Sequence, residues 1–481
     1  MATNYKTPGV YIEEISKLPA SIAAVETAIP AFIGRTEFAK DENGNDVLPA
    51  APTKLPTPIR ITSFLDYQKY FGGANSETTV FETSGIPTIT DTEVDGKIVK
   101  RVISCDAKKS ETSGKYMYYA IQMFYANGGG ACYIVSSGSY STDLTTDAAK
   151  AGLDAIAKVD EPTMLVFTDK HKLLNSTKSG YKDVYDYALM QCAKLQDRIA
   201  IFDAWVLSDS PYADAGIVRN DIGTANLKYG AAYYPWLQST LSYAYNEQVK
   251  VKHQVNAGNG PYNDLTLADI KALDLSTYRA LVNEMDKNVI DLPPSGAVAG
   301  IMARVDNNRG VWKAPANESV NLVTGPSLKV TAQQQETLNI DPTTGKSINV
   351  IRFFTGKGTL VWGARTLAGN DNEWRYISVR RFYNFVEESV KKATEFVVFE
   401  PNDANTWLRV KTMCENFLNQ LWRQGALQGA KPDDAYFVRI GLGVTMTSLD
   451  ILEGRMNVEI GMAAVRPAEF IILKFSHKLQ E

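Results

Sequence analysis

The sequence predicts an α/β protein with a largely parallel sheet, and three observations predict it. Between Tyr116 and Phe202, helix-spaced apolar residues alternate with short apolar runs. Those runs, Cys132-Tyr-Ile-Val135, Met164-Leu-Val-Phe167 and Ile199-Ala-Ile-Phe202, have the composition of strands buried on both faces. The chain has 481 residues, 44% of them hydrophobic, which is enough for a large core.

Taken in order, the chain offers a first strand at Val10-Tyr11-Ile12, behind a Pro8-Gly9 turn, and a buried strand at Pro30-Ala-Phe-Ile-Gly34. Residues 41–58 read as a loop. Thr62 or Ser63 caps a short helix through Phe64 to Tyr70, and Gly72-Gly73 stops it. Residues 75–113 are polar and read as an exposed insert; residues 247–264 form a second polar stretch. Helices follow on Tyr116, Tyr119, Ala120, Met123 and Phe124, on Ala149, Leu153 and Ile156, and on Val184, Tyr187, Ala188, Gln191 and Leu195. Tyr229 to Leu237 is strand-like. Ala297, Ala299, Gly300 and Ala303 suit a tightly packed helix, with a turn at 310–316 under Trp312.

Towards the end, Val350–Phe354 and Thr359–Trp362 predict two strands around a glycine turn. Phe382, Phe385, Val386, Ser389 and Ala393 share a helical face, and Glu387 to Lys391 and Glu388 to Lys392 are spaced for ion pairs. A long helix buries Trp407, Val410, Cys414, Phe417, Leu418 and Leu421, ends at Gly425, and carries Arg409, Lys411 and Arg423 elsewhere against Glu415. The last predicted strand is Ala468 to Phe475. An apolar strand must pair its backbone edges, either in its own sheet or in a neighbour's.

Several function classes fail on composition and spacing. Net charge is -4, which gives no general attraction to nucleic acid or an anionic membrane. No apolar run approaches the roughly 20 residues that cross a bilayer, and Met1 to Lys6 lacks the pattern of a secretory signal. The four cysteines are scattered and read as reduced thiols. Residues 41–52 fail as a calcium loop, because position six is Asp46 and position twelve is Pro52. Gly345-Lys346-Ser347 lacks the glycine that a phosphate-binding loop needs, since Ile340 stands there. Gly128-Gly-Gly130 precedes a strand instead of following one. His171, His253 and His477 sit in no metal or catalytic spacing and read as surface or satisfied core residues. No catalytic, cofactor-binding or metal-binding residue is assigned.

The chain resembles contractile tail sheath proteins, which sleeve phage tails and related injection machines. The resemblance rests on Thr7-Pro-Gly-Val-Tyr-Ile-Glu-Glu14, Asp197-Arg-Ile-Ala-Ile201, Tyr234-Pro-Trp236 and Pro294-Ser-Gly-Ala-Val-Ala-Gly300. It continues through Gly310-Val-Trp-Lys-Ala-Pro-Ala316, Val361-Trp-Gly-Ala-Arg-Thr366, Arg380-Arg381, Phe399-Glu-Pro-Asn402 and Arg466-Pro-Ala-Glu-Phe470.

The resemblance implies an inner assembly domain made from both chain ends, expected over 1–60 and 346–481. It implies an outer α/β domain over 61–345, subtilisin-like without a catalytic triad, with the inserts near 75–113 and 247–264. It implies hexameric rings stacked helically around an inner tube protein, with baseplate and terminal cap proteins as further partners. Assembly in a bacterial cytoplasm would end in a virion tail or a contractile particle. The terminal strands, Val10, Tyr11, Ile12, Phe470, Ile471, Ile472, Leu473 and Phe475, would be woven into neighbouring subunits. Arg409, Lys411 and Arg423 admit two readings, ordinary solvation or contact with an acidic tube wall. An α/β hydrolase-like enzyme and another structural tail component are the alternatives.

Overall fold

The computed structural model describes residues 22–49, 54–107, 112–169, 178–204, 206, 208–256 and 258–472. Two compact units emerge. The larger comprises Glu26–Glu387 and the segment from Arg466; the smaller comprises the chain up to Val25 and Glu388–Val465.

The larger unit is built on a nine-stranded sheet. Its strands are β1 (Pro30–Thr36), β2 (Ile59–Ile61), β5 (Cys132–Ser139), β6 (Met164–Phe167), β7 (Ile199–Asp203), β8 (Gly230–Tyr234), β13 (Glu318–Ser319), β15 (Ile348–Phe354) and β16 (Gly358–Val361). They run in the order β13-β16-β15-β8-β7-β6-β1-β5-β2. Strands β5, β1, β6, β7, β8 and β15 are mutually parallel, and the edge strands pair antiparallel. Every residue of β1, β6, β7 and β8 is buried, as strands covered on both faces require. Side chains alternate between two cores. Phe32, Val166, Ile201 and Tyr233 point into one, and Ala31, Ile33, Leu165, Phe202 and Tyr234 into the other.

The helices form where apolar spacing predicts them, at Met117–Ala126, Thr146–Ile156 and Lys178–Leu195. Ser63 caps the first short helix with a capping box to Asp66. The small-residue helix, Ser295–Arg309, starts against the sheet: Asp203 at the end of β7 accepts from both Ser295 N–H and Oγ, each at 2.7 Å. Its Gly296 lies so close to Met117–Ala126 that an added Cβ would stand 2.7 Å from the Ala120 carbonyl oxygen. At the carboxyl ends of β1 and β6, the buried Asp169 accepts from the backbone N–H groups of Arg35 and, at 3.1 Å, of Tyr116.

One expectation needs correction. Strands β1, β2, β15 and β16 were expected in the chain-end domain but lie in the large sheet. Parallel pairing of β15 to β8 and the central position of β1 bind them there, so the smaller unit begins at Glu388, not at residue 346. The two polar inserts pair with each other. Strands β3 (Thr88–Val94), β4 (Lys97–Ser104), β10 (Lys252–Val255) and β11 (Gly258–Asn259) form one sheet, β11-β10-β3-β4. Asp91 joins them, bonded to Arg101 at 2.8 and 2.7 Å and to His253 Nε2 at 3.0 Å. Of the expected ion pairs one turn apart, Glu388–Lys392 is made at 3.3 Å; Glu388 also meets Lys391 at 3.1 Å, and Glu387 reaches back to Arg380 at 3.1 Å. A further sheet of the larger unit runs β12-β9-β14, from β9 (Leu237–Ser242), β12 (Val289–Leu292) and β14 (Val323–Pro326).

The smaller unit centres on the helix Ala404–Arg423, capped by Asp403 and burying Val410, Met413, Cys414, Phe417, Leu418 and Leu421. A two-stranded antiparallel sheet follows, β17 (Tyr436–Arg439) with β18 (Glu459–Met462).

Candidate assembly surface

The geometry of the larger unit's last described segment is set from the sheet outward. Asn349 in β15 brackets the backbone of Arg365: its Oδ1 accepts from Arg365 N–H and its Nδ2 donates to Arg365 C=O, both at 2.7 Å. So held, the buried Arg365 guanidinium grips Glu469, with Nε–Oε1 at 3.0 Å and Nη2–Oε2 at 2.6 Å. Asn339 Nδ2 adds a bond at 2.7 Å and Tyr376 OH one at 3.1 Å. Partial burial alone would raise the Glu469 pKa, but the Arg365 and Asn339 bonds outweigh it and hold the carboxyl below its usual range.

The next three residues are the reverse of this. Phe470, Ile471 and Ile472 are 66%, 78% and 81% exposed and lie in no strand. The predicted strand is therefore not formed over its described part. A strand exists only by pairing, and among the described residues no edge pairs with it. Val10, Tyr11, Ile12, Leu473 and Phe475 lie outside the described residues.

In the smaller unit, β17 and β18 stand as a pair with no third strand among the described residues. Such a pair is marginal alone and offers backbone edges. Phe437, Leu442, Val444, Leu449 and Leu452, on and between these strands, are all exposed. Of the three cations, Arg409 lies over the Phe396 ring at 5.2 Å and Lys411 is 3.7 Å from Glu415. Arg423 is exposed in the helix's last turn. Arg409 and Lys411 are two residues apart, about 200° round the helix, so the three do not share one narrow face.

The residues tested for chemistry have structural duties. His253, the one histidine among the described residues, is buried, with Nε2 at Asp91 and Nδ1 accepting from Tyr262 N–H at 3.2 Å. Lys346, from the failed phosphate-loop match, is buried and donates to the backbone carbonyls of Arg219 and Ile222. No group of three or more metal-ligating side chains occurs among the described residues.

Sequence reasoning missed Arg365, Asn349, Asn339 and Tyr376. The available signal was a lone charge in each of two quoted motifs, Arg365 in Val361–Thr366 and Glu469 in Arg466–Phe470. Nothing in a single sequence pairs positions 104 apart.

An α/β scaffold that clamps one end of an exposed apolar segment, and carries a strand pair with no third strand among the described residues, fits a structural protein whose site is an interface. The family comparisons place it. The model described as phage tail sheath protein central domain matches residues 191–367, and the phage tail sheath C-terminal domain matches 369–478. The sheath of the anti-feeding prophage, solved in its contracted state, is 31% identical with a TM-score of 0.64, covering 98% of this chain and 100% of that one. The contracted sheath complex of PVC, an extracellular contractile injection system, is 31% identical with a TM-score of 0.62 and 99% coverage of each chain. The tail sheath protein of Vibrio phage KVP40 is 24% identical over 178 residues, 35% of this chain; the match spans only 26% of that longer protein. The chain belongs to the contractile tail sheath family.

Proposed function

We propose that this chain polymerises as stacked hexameric rings around an inner tube and shortens to drive that tube through a target envelope. The observation that carries the reading is the exposed, unpaired run Phe470–Ile472 on a clamped root. In this account the strand from Ala468 to Phe475 adds to a neighbour's sheet, with β17 and β18 as the receiving pair. Val10, Tyr11 and Ile12 make the corresponding link from the other end of the chain. Each added backbone hydrogen bond contributes about 1 kcal/mol net, and burial of each large apolar side chain about 1.5–3 kcal/mol. Such links hold while less apolar contacts exchange during contraction.

The inner domain, in this reading, is the smaller unit; of Arg409, Lys411 and Arg423, the first and last, about 40° apart round the helix, face an acidic tube wall, and Lys411 flanks that contact. The outer domain is the larger unit, a subtilisin-like sheet without catalysis; its six parallel strands support that likeness. Baseplate and cap proteins bind the ends of the polymer in a tail or injection particle. The related structures, a baseplate and a helical sheath of the anti-feeding prophage, support the assembly. The test is negative-stain microscopy of the purified protein. Hollow cylinders are expected, and dispersed monomers at every concentration and salt would contradict the reading.

A further inference from the structure

We propose that Arg365, Asn339 and Tyr376 form a fixed socket for Glu469, and that Glu469 positions the donated strand without touching the copy that receives it. This rests on the assembly reading above and goes one step past it.

The case is a contrast between adjacent residues. Glu469 takes five charge-assisted or polar bonds from three side chains. Arg365 is tied through Asn349 to β15, inside the large sheet, so the socket is fixed to the core and not to a loop. Arg466, three residues before Glu469, adds a bond to the Asn372 carbonyl at 2.6 Å. Immediately beyond, three large apolar side chains stand in water. A staple against fraying would bury those side chains on its own unit, because their burial contributes more than the anchor does. Here the anchor is made and the burial is withheld.

The occupant this fits is a second copy of the chain. Each copy carries both a donor, the clamped apolar segment, and a strand pair, β17 with β18, that has no third strand among the described residues beyond the single bridge of Leu427 to Ala464. A donor and an acceptor that are different segments of one chain make a heterologous contact, which propagates into rings and helices. Fixing the donor's root removes part of the ordering cost that a free tail would meet on docking. Charge reinforces the root: a carboxylate beside a guanidinium is held more firmly than a neutral pair.

The experiment compares the parent with Glu469→Ala, Arg365→Ala and the double variant. Melting of the dispersed protein is read beside cylinder formation by sedimentation and microscopy. The Glu469→Ala change lies outside the sheet and leaves the core intact, so it guards against an Arg365→Ala variant that fails to fold. Expected are near-parent melting for Glu469→Ala and assembly weakened about tenfold or more, the size of one lost charge-assisted bond. The double variant should be no worse than the poorer single one, because the two residues act as a unit. Glu469→Gln, which keeps the shape and one acceptor, should lie between. Parent-like cylinders from Glu469→Ala overturn the socket and leave the assembly reading standing; so do lowered melting with unchanged assembly, or additive losses. A parent that forms no cylinders overturns both.

Discussion

Arg381 and Asp306, 75 residues apart in sequence, form an ion pair in which each side chain is 3% exposed. Arg381 donates to both Asp306 oxygens, at 3.0 and 2.5 Å, and to the Thr27 carbonyl at 2.9 Å; Thr27 Oγ1 donates to Asp306 at 2.6 Å. The bridge thus ties the entry to β1, the helix Ser295–Arg309 and the helix beginning at Ile377. It is a second arginine–carboxylate clamp, buried where the Arg365–Glu469 clamp is at the rim.

Removing one partner strands a buried charge. Asp306→Ala is expected to cost about 3–5 kcal/mol of stability, against under about 1 kcal/mol for an exposed pair such as Arg60–Glu161. Urea denaturation of the two variants checks the contrast, and equal losses would contradict it.

The glycines give a prediction with opposite signs. Gly296→Ala drives a methyl against the Ala120 backbone and should destabilise by about 1–3 kcal/mol. Gly216, within the helix Pro211–Asp221, has no atom within 4 Å of an added Cβ. Gly216→Ala should therefore stabilise by about 0.5–1 kcal/mol, through helix propensity and a less flexible unfolded chain. Thermal melting of both variants reads the sign directly.

Asp169 predicts a pH dependence. Burial raises its pKa to about 7, against the N–H bonds of Arg35 and Tyr116 that lower it. The folded value lies above the unfolded one, so the folded state holds this proton more tightly. The group's contribution to stability therefore grows as pH falls from about 8 to about 5. The parent should gain over Asp169→Asn across that window, measured as the change in their stability difference. A difference that is flat with pH, or of the reverse sign, would contradict the account.

The cations on the long helix test the tube contact. Reversing Arg409, Lys411 and Arg423 together to Glu should abolish co-assembly with an inner tube protein while leaving monomer melting within a few degrees. Arg409→Glu alone also removes the ring contact with Phe396, so its effect should exceed that of Arg423→Glu. Unchanged co-sedimentation of the triple variant with tube protein would sink the assignment.

Much of the fold was legible because it is local. The runs at Met164 and Ile199 are apolar throughout, and the helix at Tyr116 repeats at 3.6 residues, so burial on two faces and on one face can be read without a neighbour. The joining of the two inserts was not legible. Asp91, Arg101 and His253 are each ordinary polar residues in sequence; the β3–β4 hairpin sets Arg101 opposite Asp91, but only parallel pairing of β3 with β10 brings His253 to them. The domain boundary failed for the same reason, since the partner of β15 is β8, more than a hundred residues earlier. At the assembly surface the apolar tip, Phe470–Ile472, was visible as composition. Its socket was not, because Arg365 and Glu469 meet only in three dimensions. Several quoted motifs prove to be such joints: Arg198 bonds Asp197 and caps a helix at the Ile156 and Val159 carbonyls, and Asn402 holds the Trp407 indole at 2.6 Å.

The central claim is that the end of the chain links copies and contributes little to the fold of its own. The most direct measurement is to remove residues 470–481 and examine the purified protein by microscopy and sedimentation, beside the parent. The account predicts parent-like melting and circular dichroism with no cylinders at any concentration that assembles the parent. Cylinders of parent length and abundance from the truncated chain would contradict it.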